Sequence, residues 1–576
     1  MQRAVPYVPP HLRAFVVEQD YDRYSAVDQA VWRFVLLQMR SRLAETAHPA
    51  YLQGLGATGI SVERIPSIAQ MNDCLSRFGW SAVCVDGFIP PRAFQEFQAS
   101  AILPIAADVR TRDHLVYTPA PDILHEAAGH APILPDPGFS AYLRRIGDLG
   151  RQAFTLPEEG EVFRAIRELS EVKERPGAPA DEVTRAEDAL ARAIAGAAEA
   201  SEATRLSRLY WWTAEYGLVG RPDDYKLYGA GLLSSLGESE SCHDPAVEKF
   251  VLDERCMDVA YDITRPQPRL YVVPSFDELH EVLDRAQKTL AVAIGGKMAL
   301  DRAVRSRETA SVRFSSGAWV TGVVVARGPD AEWVEFGDRV AFAWDGAASD
   351  GPAPEVAPEL CVLCGRLDDG TDLDRAADAV VSGWAAASGQ RRVMRFASGA
   401  SVEGRLERVV RRKDGRVACL EWSDARVARP GAMPLDCAHY RLVAAGTVVT
   451  ARAGAVDAAY HPETSYSSAR VPLPTALDVE SALLLPLYES AERAHRAGAA
   501  AVAATYPGIH STLERDHPRE WLLRWNLLES LMKAGVASDL AGALRSELER
   551  LEVAYDRRQP IASGLRYLAR ASRIAA

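Results

Sequence analysis

Tyr117-Thr118-Pro119-Ala120-Pro121-Asp122-Ile123-Leu124-His125-Glu126-Ala127-Ala128-Gly129-His130 is the stretch on which the reading of this chain turns. Pro119 and Pro121 hold the approach extended, because proline fixes its own φ and disfavours helix in the residue before it. Asp122 then stands where a short acceptor side chain caps a helix, and the helix it opens carries two histidines. Histidines four apart, as in the H-E-x-x-H helices of zinc proteases, share one face. His125 and His130 are five apart, which sets the rings about 140° from one another on an ideal 3.6-residue helix. Both reach one ion only at a helix end or through a local distortion, with Gly129 as its natural place. The spacing excludes the protease pattern and leaves a shared metal only at a helix end or on a locally distorted helix.

Two neutral imidazoles need an anionic third ligand to hold a divalent ion on one side and leave the other open. Two histidines and one carboxylate in that arrangement are diagnostic of non-haem Fe(II) oxygenases. Downstream, Arg208-Leu209-Tyr210-Trp211-Trp212-Thr213-Ala214-Glu215-Tyr216-Gly217-Leu218 carries one carboxylate, Glu215, in an aromatic and apolar helix. A buried glutamate demands a partner. Taken singly, each residue has a plainer reading: Glu215 paired with an arginine, His125 and His130 as core or surface histidines. Taken with their flanks, the three read as one site.

The whole chain supports small-molecule chemistry. At 576 residues it exceeds one ordinary core, so two or three domains are expected, and 48% apolar with 25% charged residues describes a chain that folds throughout. A net charge of -12 argues against nucleic acid or an anionic membrane as partner. The opening Met1-Gln2-Arg3, soon followed by Pro9 and Pro10, lacks the apolar core of a signal peptide, and no stretch reaches membrane-spanning length without charges. A cytoplasmic location is expected. The eight cysteines are scattered, and although Cys361 and Cys364 form a C-x-x-C pair, Cys419 and Cys437 lack the paired spacing of a zinc ribbon, so reduced thiols are expected.

Periodicity divides the chain in three. Residues 1–300 read as a mainly α catalytic domain containing an inserted helical hairpin at 157–200, broken at Arg175-Pro176-Gly177-Ala178-Pro179. A decorative surface element is the preferred reading of the hairpin; a lid or a contact between copies in a homo-oligomer is the sharper one. Residues 308–450 change to short strands and form a small β-rich domain with an internal repeat, Val312-Arg313-Phe314-Ser315-Ser316-Gly317 echoed by Met394-Arg395-Phe396-Ala397-Ser398-Gly399. Two copies of a β unit in one barrel or sandwich are expected. The basic run Arg408, Arg411, Arg412, Lys413 and Arg416 reads as a solvated face. Residues 470–576 are a C-terminal helical region, with amphipathic patterns over Leu477–Ala500 and Trp521–Val553.

The metal segments and the motifs around them resemble the iron- and tetrahydropterin-dependent aromatic amino acid hydroxylases, the family of phenylalanine, tyrosine and tryptophan hydroxylases. The resemblance runs through Ile65-Pro66 to Trp80, Gly87 to Phe94, Arg110, Thr118 to His130, Tyr210 to Leu218, Tyr228 to Ser235 and Arg269 to Val273, over roughly residues 5 to 295, and stops there. It implies that His125, His130 and Glu215 ligate Fe(II), that Arg110 holds the substrate carboxylate, and that Thr118, Pro119, Trp211, Gly231 and Ser234 line the amino acid site. For the tetrahydropterin it implies Gly87, Ile89, Phe94, Glu126 and Tyr210. It further implies ring hydroxylation of an aromatic amino acid with O2, phenylalanine being the expected substrate, as in the bacterial phenylalanine-4-hydroxylase type. Pro104 stands where the family usually carries a histidine near the pterin, and Gly87-Phe88-Ile89-Pro90-Pro91 lacks the usual serines. The alternative expectation is the same iron chemistry with another electron donor or aromatic substrate.

Overall fold

The computed structural model describes residues 7–116, 122–175, 178–263, 265–344, 357–456, 479–554 and 560–575. Its organising element is α1, Ala26–Thr46, opened by Ser25, whose Oγ accepts from Asp28 N while the Asp28 carboxylate accepts from Ser25 N. From Ala26 to Met39 apolar side chains leave this helix in every direction, and Val31, Trp32, Phe34, Val35, Leu36 and Met39 are all buried. A helix apolar all round belongs inside a protein rather than on its surface.

Two small sheets flank the helical body. One has the order β1 (Val16–Val17), β2 (Ser81–Val85), β3 (Ile102–Ala106), with β2 and β3 parallel. Pro104 pairs with Val83 on β3, an edge strand, where a missing N–H leaves no ladder bond unmade on the open side. The second joins β4 (Gly217–Arg221), β5 (Asp224–Leu227), β6 (Glu248–Val251) and β7 (Arg269–Val273) in the order β5-β4-β7-β6. The helical pair α2 (Pro157–Glu174) and α3 (Ala180–Gly196) closes on a small core of its own, made by Ala165, Leu169, Val172, Ala186 and Leu190.

Residues 309–453 form two sheets, each opened by one copy of the sequence repeat. The first is β8 (Thr309–Phe314), β9 (Ala318–Arg327), β10 (Trp333–Trp344) and β11 (Ala357–Leu363); the second is β12 (Gln390–Arg395), β13 (Ser401–Arg411), β14 (Val417–Ala428) and β15 (Leu435–Val443). β16 (Val448–Ala453) returns to extend the first sheet beside β8. The registers repeat with the residues: Val312 faces Val320 and Arg313 faces Trp319, as Met394 faces Val402 and Arg395 faces Ser401. Phe314 and Phe396 are buried at equivalent places, in two separate apolar clusters. The repeat is therefore two sheets, and Trp333, Cys361 and Leu363 of the first also pack into the cluster of the second.

The C-terminal helices are α4 (Val479–Ala497), α5 (Ala499–Asp516), α6 (Leu522–Ala534), α7 (Ser538–Ala554) and α8 (Ile561–Ala575). They share the core of the N-terminal half: Phe34 on α1 meets Trp521 at 5.1 Å and Trp525 at 4.7 Å, both edge to face. Beneath those rings Arg33, on α1, pairs with Glu529 at 2.7 Å and Glu63 at 3.0 Å. All eight cysteines are free thiols, six of them buried, and among the described residues no cysteine cluster comes close enough to share an ion. No described helix is long and apolar enough to cross a membrane.

Candidate metal centre

The distortion demanded by the histidine spacing is a whole turn of π-helix, Leu124–His130. A π-turn bonds residue i to i+5, so two side chains five apart come to one face. Asp122 starts the turn, its Oδ1 accepting from His125 N at 2.9 Å. Gly129 is required for a different reason from the one its flexibility suggests: a Cβ there would lie 2.8 Å from Ala230 O, against the short helix Ala230–Ser234 that packs on this turn. The carboxylate arrives on a second π-turn, Trp211–Glu215, continuing the helix Glu202–Tyr210. Gly229 and Gly231 let the following loop lie directly on the Glu215 backbone, since a Cβ at either would meet Glu215 O at 2.4 or 3.0 Å.

The result is a convergence. His125, His130 and Glu215 present ligand atoms that all lie within 4.8 Å of one another, with His125 Nε2 3.2 Å from Glu215 Oε2 and His130 Nε2 3.1 Å from Glu215 Oε1. Ser234 Oγ donates to Ala230 O at 2.7 Å and so accepts from His125 Nδ1 at 2.9 Å. That bond puts the proton on Nδ1 and turns the Nε2 lone pair toward the site. His130 is 1% exposed; its Nδ1 has no hydrogen-bond partner among the described residues, and its Nε2 faces the Glu215 and Glu126 carboxylates. Burial would push the Glu215 carboxyl up, but the imidazoles of His130 and His125 outweigh it and hold it well below the usual range, so the third donor is anionic. Two imidazole Nε2 atoms converging on one buried carboxylate, with one tautomer fixed, are a donor set that a divalent iron ion fits.

Around this point the remaining residues divide. Arg110, 3% exposed, is held by Asp122, Nε to Oδ2 at 2.8 Å and Nη2 to Oδ1 at 2.9 Å, and Nη1 donates to Ser234 O at 3.1 Å. The bidentate grip expected for a substrate is thus made here to Asp122; of five guanidinium donors three are in use and two stay uncommitted among the described residues. Trp211 stacks on Tyr261 at 4.1 Å and lies 4.7 Å from Tyr216, whose ring in turn lies against Gly231. Phe94 meets Tyr210 at 5.8 Å, Tyr210 meets His130 at 6.4 Å, and Glu126 Oε2 stands 3.8 Å from His130 Nε2. Burial pushes the Glu126 carboxyl up to about 8, against the pull of His130. Gly87, with φ of 60°, makes the turn after β2, while Ile89 packs toward the Leu12, Phe15 and Phe97 cluster rather than onto these rings. Thr118 and Pro119 lie outside the described residues.

Sequence reasoning missed the layer behind the site. Tyr216 Oη donates to Glu238 Oε2 at 2.7 Å, Gln267 N donates to Glu238 Oε1 at 3.1 Å, and Trp211 Nε1 donates to Gln267 Oε1 at 3.3 Å. Gln98 Nε2 donates to the Tyr210 hydroxyl at 2.6 Å. The one signal available was the acid Glu238 just after Tyr228 to Ser235, and nothing local says which tyrosine it meets.

Two imidazoles and one carboxylate on one face, with the other face open to dioxygen, define the mononuclear non-haem iron oxygenases. The chain belongs to the family of biopterin-dependent aromatic amino acid hydroxylases: it matches that family over residues 20–153 and 185–295, passing over α2 and the start of α3. It is 32% identical over 286 residues to the phenylalanine-4-hydroxylase of Mesorhizobium japonicum, covering 48% of this chain and 86% of that protein. To the phenylalanine-4-hydroxylase of Ralstonia nicotianae it is 31% identical over 270 residues, 46% of this chain and 72% of that protein. A crystal structure of the Chromobacterium violaceum phenylalanine hydroxylase, with bound iron(III) and oxidised 7,8-dihydrobiopterin, aligns with 49% of this chain and 92% of its own at 27% identity and a TM-score of 0.38.

Proposed function

We propose that this protein is an iron- and tetrahydropterin-dependent monooxygenase that hydroxylates the ring of an aromatic amino acid, phenylalanine first among them, using O2. The observation that carries the reading is the convergence of His125, His130 and Glu215 within 4.8 Å inside a chain of this family. Bound iron and a tetrahydropterin supply the reductive activation of dioxygen. Everything else falls to the chain. His125, His130 and Glu215 hold the ion from one side and leave the other to oxygen and substrate.

Ser234 keeps His125 in the tautomer that binds. Arg110, immobilised by Asp122, offers its two uncommitted donors to the substrate carboxylate, a pairing that the planar guanidinium fork suits. Trp211, stiffened by Tyr261 and Tyr216, is the wall against which an aromatic ring lies. Gly231 keeps that space free of a side chain. Phe94, Glu126 and Tyr210, together beside His130, are the face for the pterin, and Gly87 and Ile89 contribute through the loop that leads to Phe94. Burial of these groups excludes water from the reacting centre. The chemistry belongs to residues 1–300, and the C-terminal helices support it by completing the core around α1.

The test is aerobic turnover of the purified full chain, loaded with Fe(II), on phenylalanine, tyrosine and tryptophan with a tetrahydropterin. A product heavier by one oxygen atom names the substrate. Iron bound at one equivalent with no product from any of the three would overturn the proposed reaction.

A further inference from the structure

Arg110 sits on a segment that must be stiff if its guanidinium is to grip anything, and that segment is pinned at three places. At its start, Asp108 O accepts from Ile123 N at 2.8 Å, and Asp122 holds Arg110 itself. At its end, Val116 O accepts from Ser235 Oγ at 3.2 Å. Both pins belong to the catalytic half. The middle pin does not: Arg112 Nη1 donates to Glu520 Oε2 at 2.7 Å, across more than four hundred residues of sequence, and the Glu520 side chain is only 2% exposed.

Glu520 is itself fixed. Its other oxygen, Oε1, accepts from Tyr488 Oη at 2.7 Å and from Leu523 N at 2.9 Å, so the carboxylate caps α6 while α4 holds it from the side. A buried carboxylate holding three hydrogen bonds, with both oxygens engaged, is a rigid anchor, and the cation it anchors lies two residues from Arg110.

We propose that Glu520 is a positioning residue for substrate binding: through Arg112 the C-terminal helices hold the Arg110 segment in the geometry that grips the amino acid carboxylate. The inference rests on the proposed role of Arg110 and supplies a task for residues to which the family resemblance does not extend. It acts on binding, not on the metal. A carboxylate grip that loses its backing weakens ground-state binding of the amino acid while leaving the chemical step and the pterin side untouched.

Glu520→Gln in the full chain keeps acceptors for Tyr488 and Leu523 N but removes the ion pair, and Arg112→Gln removes it from the opposite side. For each variant the amino acid KM is expected to rise about tenfold with kcat and pterin KM within about twofold of wild type. The double variant should be no worse than either single, because both break one link. Backbone amide exchange should quicken over residues 109–116 and stay as in wild type over the π-turn Leu124–His130. An unchanged amino acid KM together with unchanged exchange overturns the proposal, as does a fall in kcat with both KM values raised in parallel, which marks a merely structural pair. If the wild-type chain turns over no aromatic amino acid, the functional reading falls by itself, and the exchange measurement then decides whether Glu520 holds the segment.

Discussion

His125 turns Nε2 toward the proposed metal position because Ser234 accepts the proton on Nδ1, and Ser234 can do so because its own proton is already given to Ala230 O. Ser234→Ala therefore leaves every proposed ligand in place and frees the ring: iron affinity should fall by roughly 10- to 100-fold, the usual effect of removing a partner behind a metal-bound histidine, read by equilibrium dialysis against a competing chelator. His125→Ala and His130→Ala should each abolish stoichiometric iron; full iron content in both would sink the ligand assignment. Asp108 offers a pH reading away from the metal. Burial, with Asp86 nearby, raises its carboxyl from the usual 3.8 to about 6, so the folded state binds that proton more tightly than the unfolded state does. Its contribution is present below pH 4 and lost as pH rises toward 6; melting curves of Asp108→Asn should lack that part of the decline seen in wild type. At this scale the site was legible where residue type and spacing carry chemistry. Two histidines five apart announce that an ideal helix cannot serve, and a glutamate among Trp211, Trp212 and Tyr216 announces a buried partner. Asp122 as the counter-ion of Arg110 was not legible, because the residue that caps a helix and the residue that pairs a cation look the same in sequence.

Both segments that carry the proposed ligands are π-turns, and each is kept by a glycine contact with its neighbour. Gly129→Ala drives a methyl group to 2.8 Å from Ala230 O, backbone against backbone, so the turn or the Ala230–Ser234 helix must shift. Iron binding should weaken together with a melting temperature lower by several degrees, and a variant with wild-type iron content and stability would show that the contact yields. The first π-turn could be inferred from the histidine spacing. The second, Trp211–Glu215, left no trace, since nothing in Trp-Trp-Thr-Ala-Glu distinguishes an α from a π register. Helix α1 shows the opposite failure: its apolar residues on all sides spelled a central position, yet amphipathic periodicity is the feature that sequence reading seeks, and a helix without it passes unremarked. Phe34→Ala, emptying the space between Trp521 and Trp525, should cost about 3–5 kcal/mol by denaturant unfolding, the range for a large aromatic removed from a core.

For the whole molecule, the C-terminal helices complete the core that surrounds α1. A chain ending at residue 456 would expose the α1 face that Trp521 and Trp525 cover, and it should precipitate or melt without cooperativity; a soluble truncation with a wild-type transition would show these helices to be dispensable. Local patterning marked the strands, the repeat and the C-terminal helices, but what packs on what is a matter of contacts hundreds of residues apart, and no window of sequence contains them. One such separation is less than it looks. His130 and Glu215 are far apart in sequence, with α2 and α3 lying between them, yet Phe154 N donates to Glu202 at 2.8 Å and Ala203 N donates to Phe154 O at 3.1 Å, tying the hairpin off at its base. Once that hairpin has closed on its own core, the loop that must close to bring the two ligands together is less than half as long. Since each doubling of a loop adds only about 0.6 kcal/mol of closure entropy, the insertion burdens assembly of the metal centre hardly at all. Its local contacts form early, and the search for the third ligand is then one of short range.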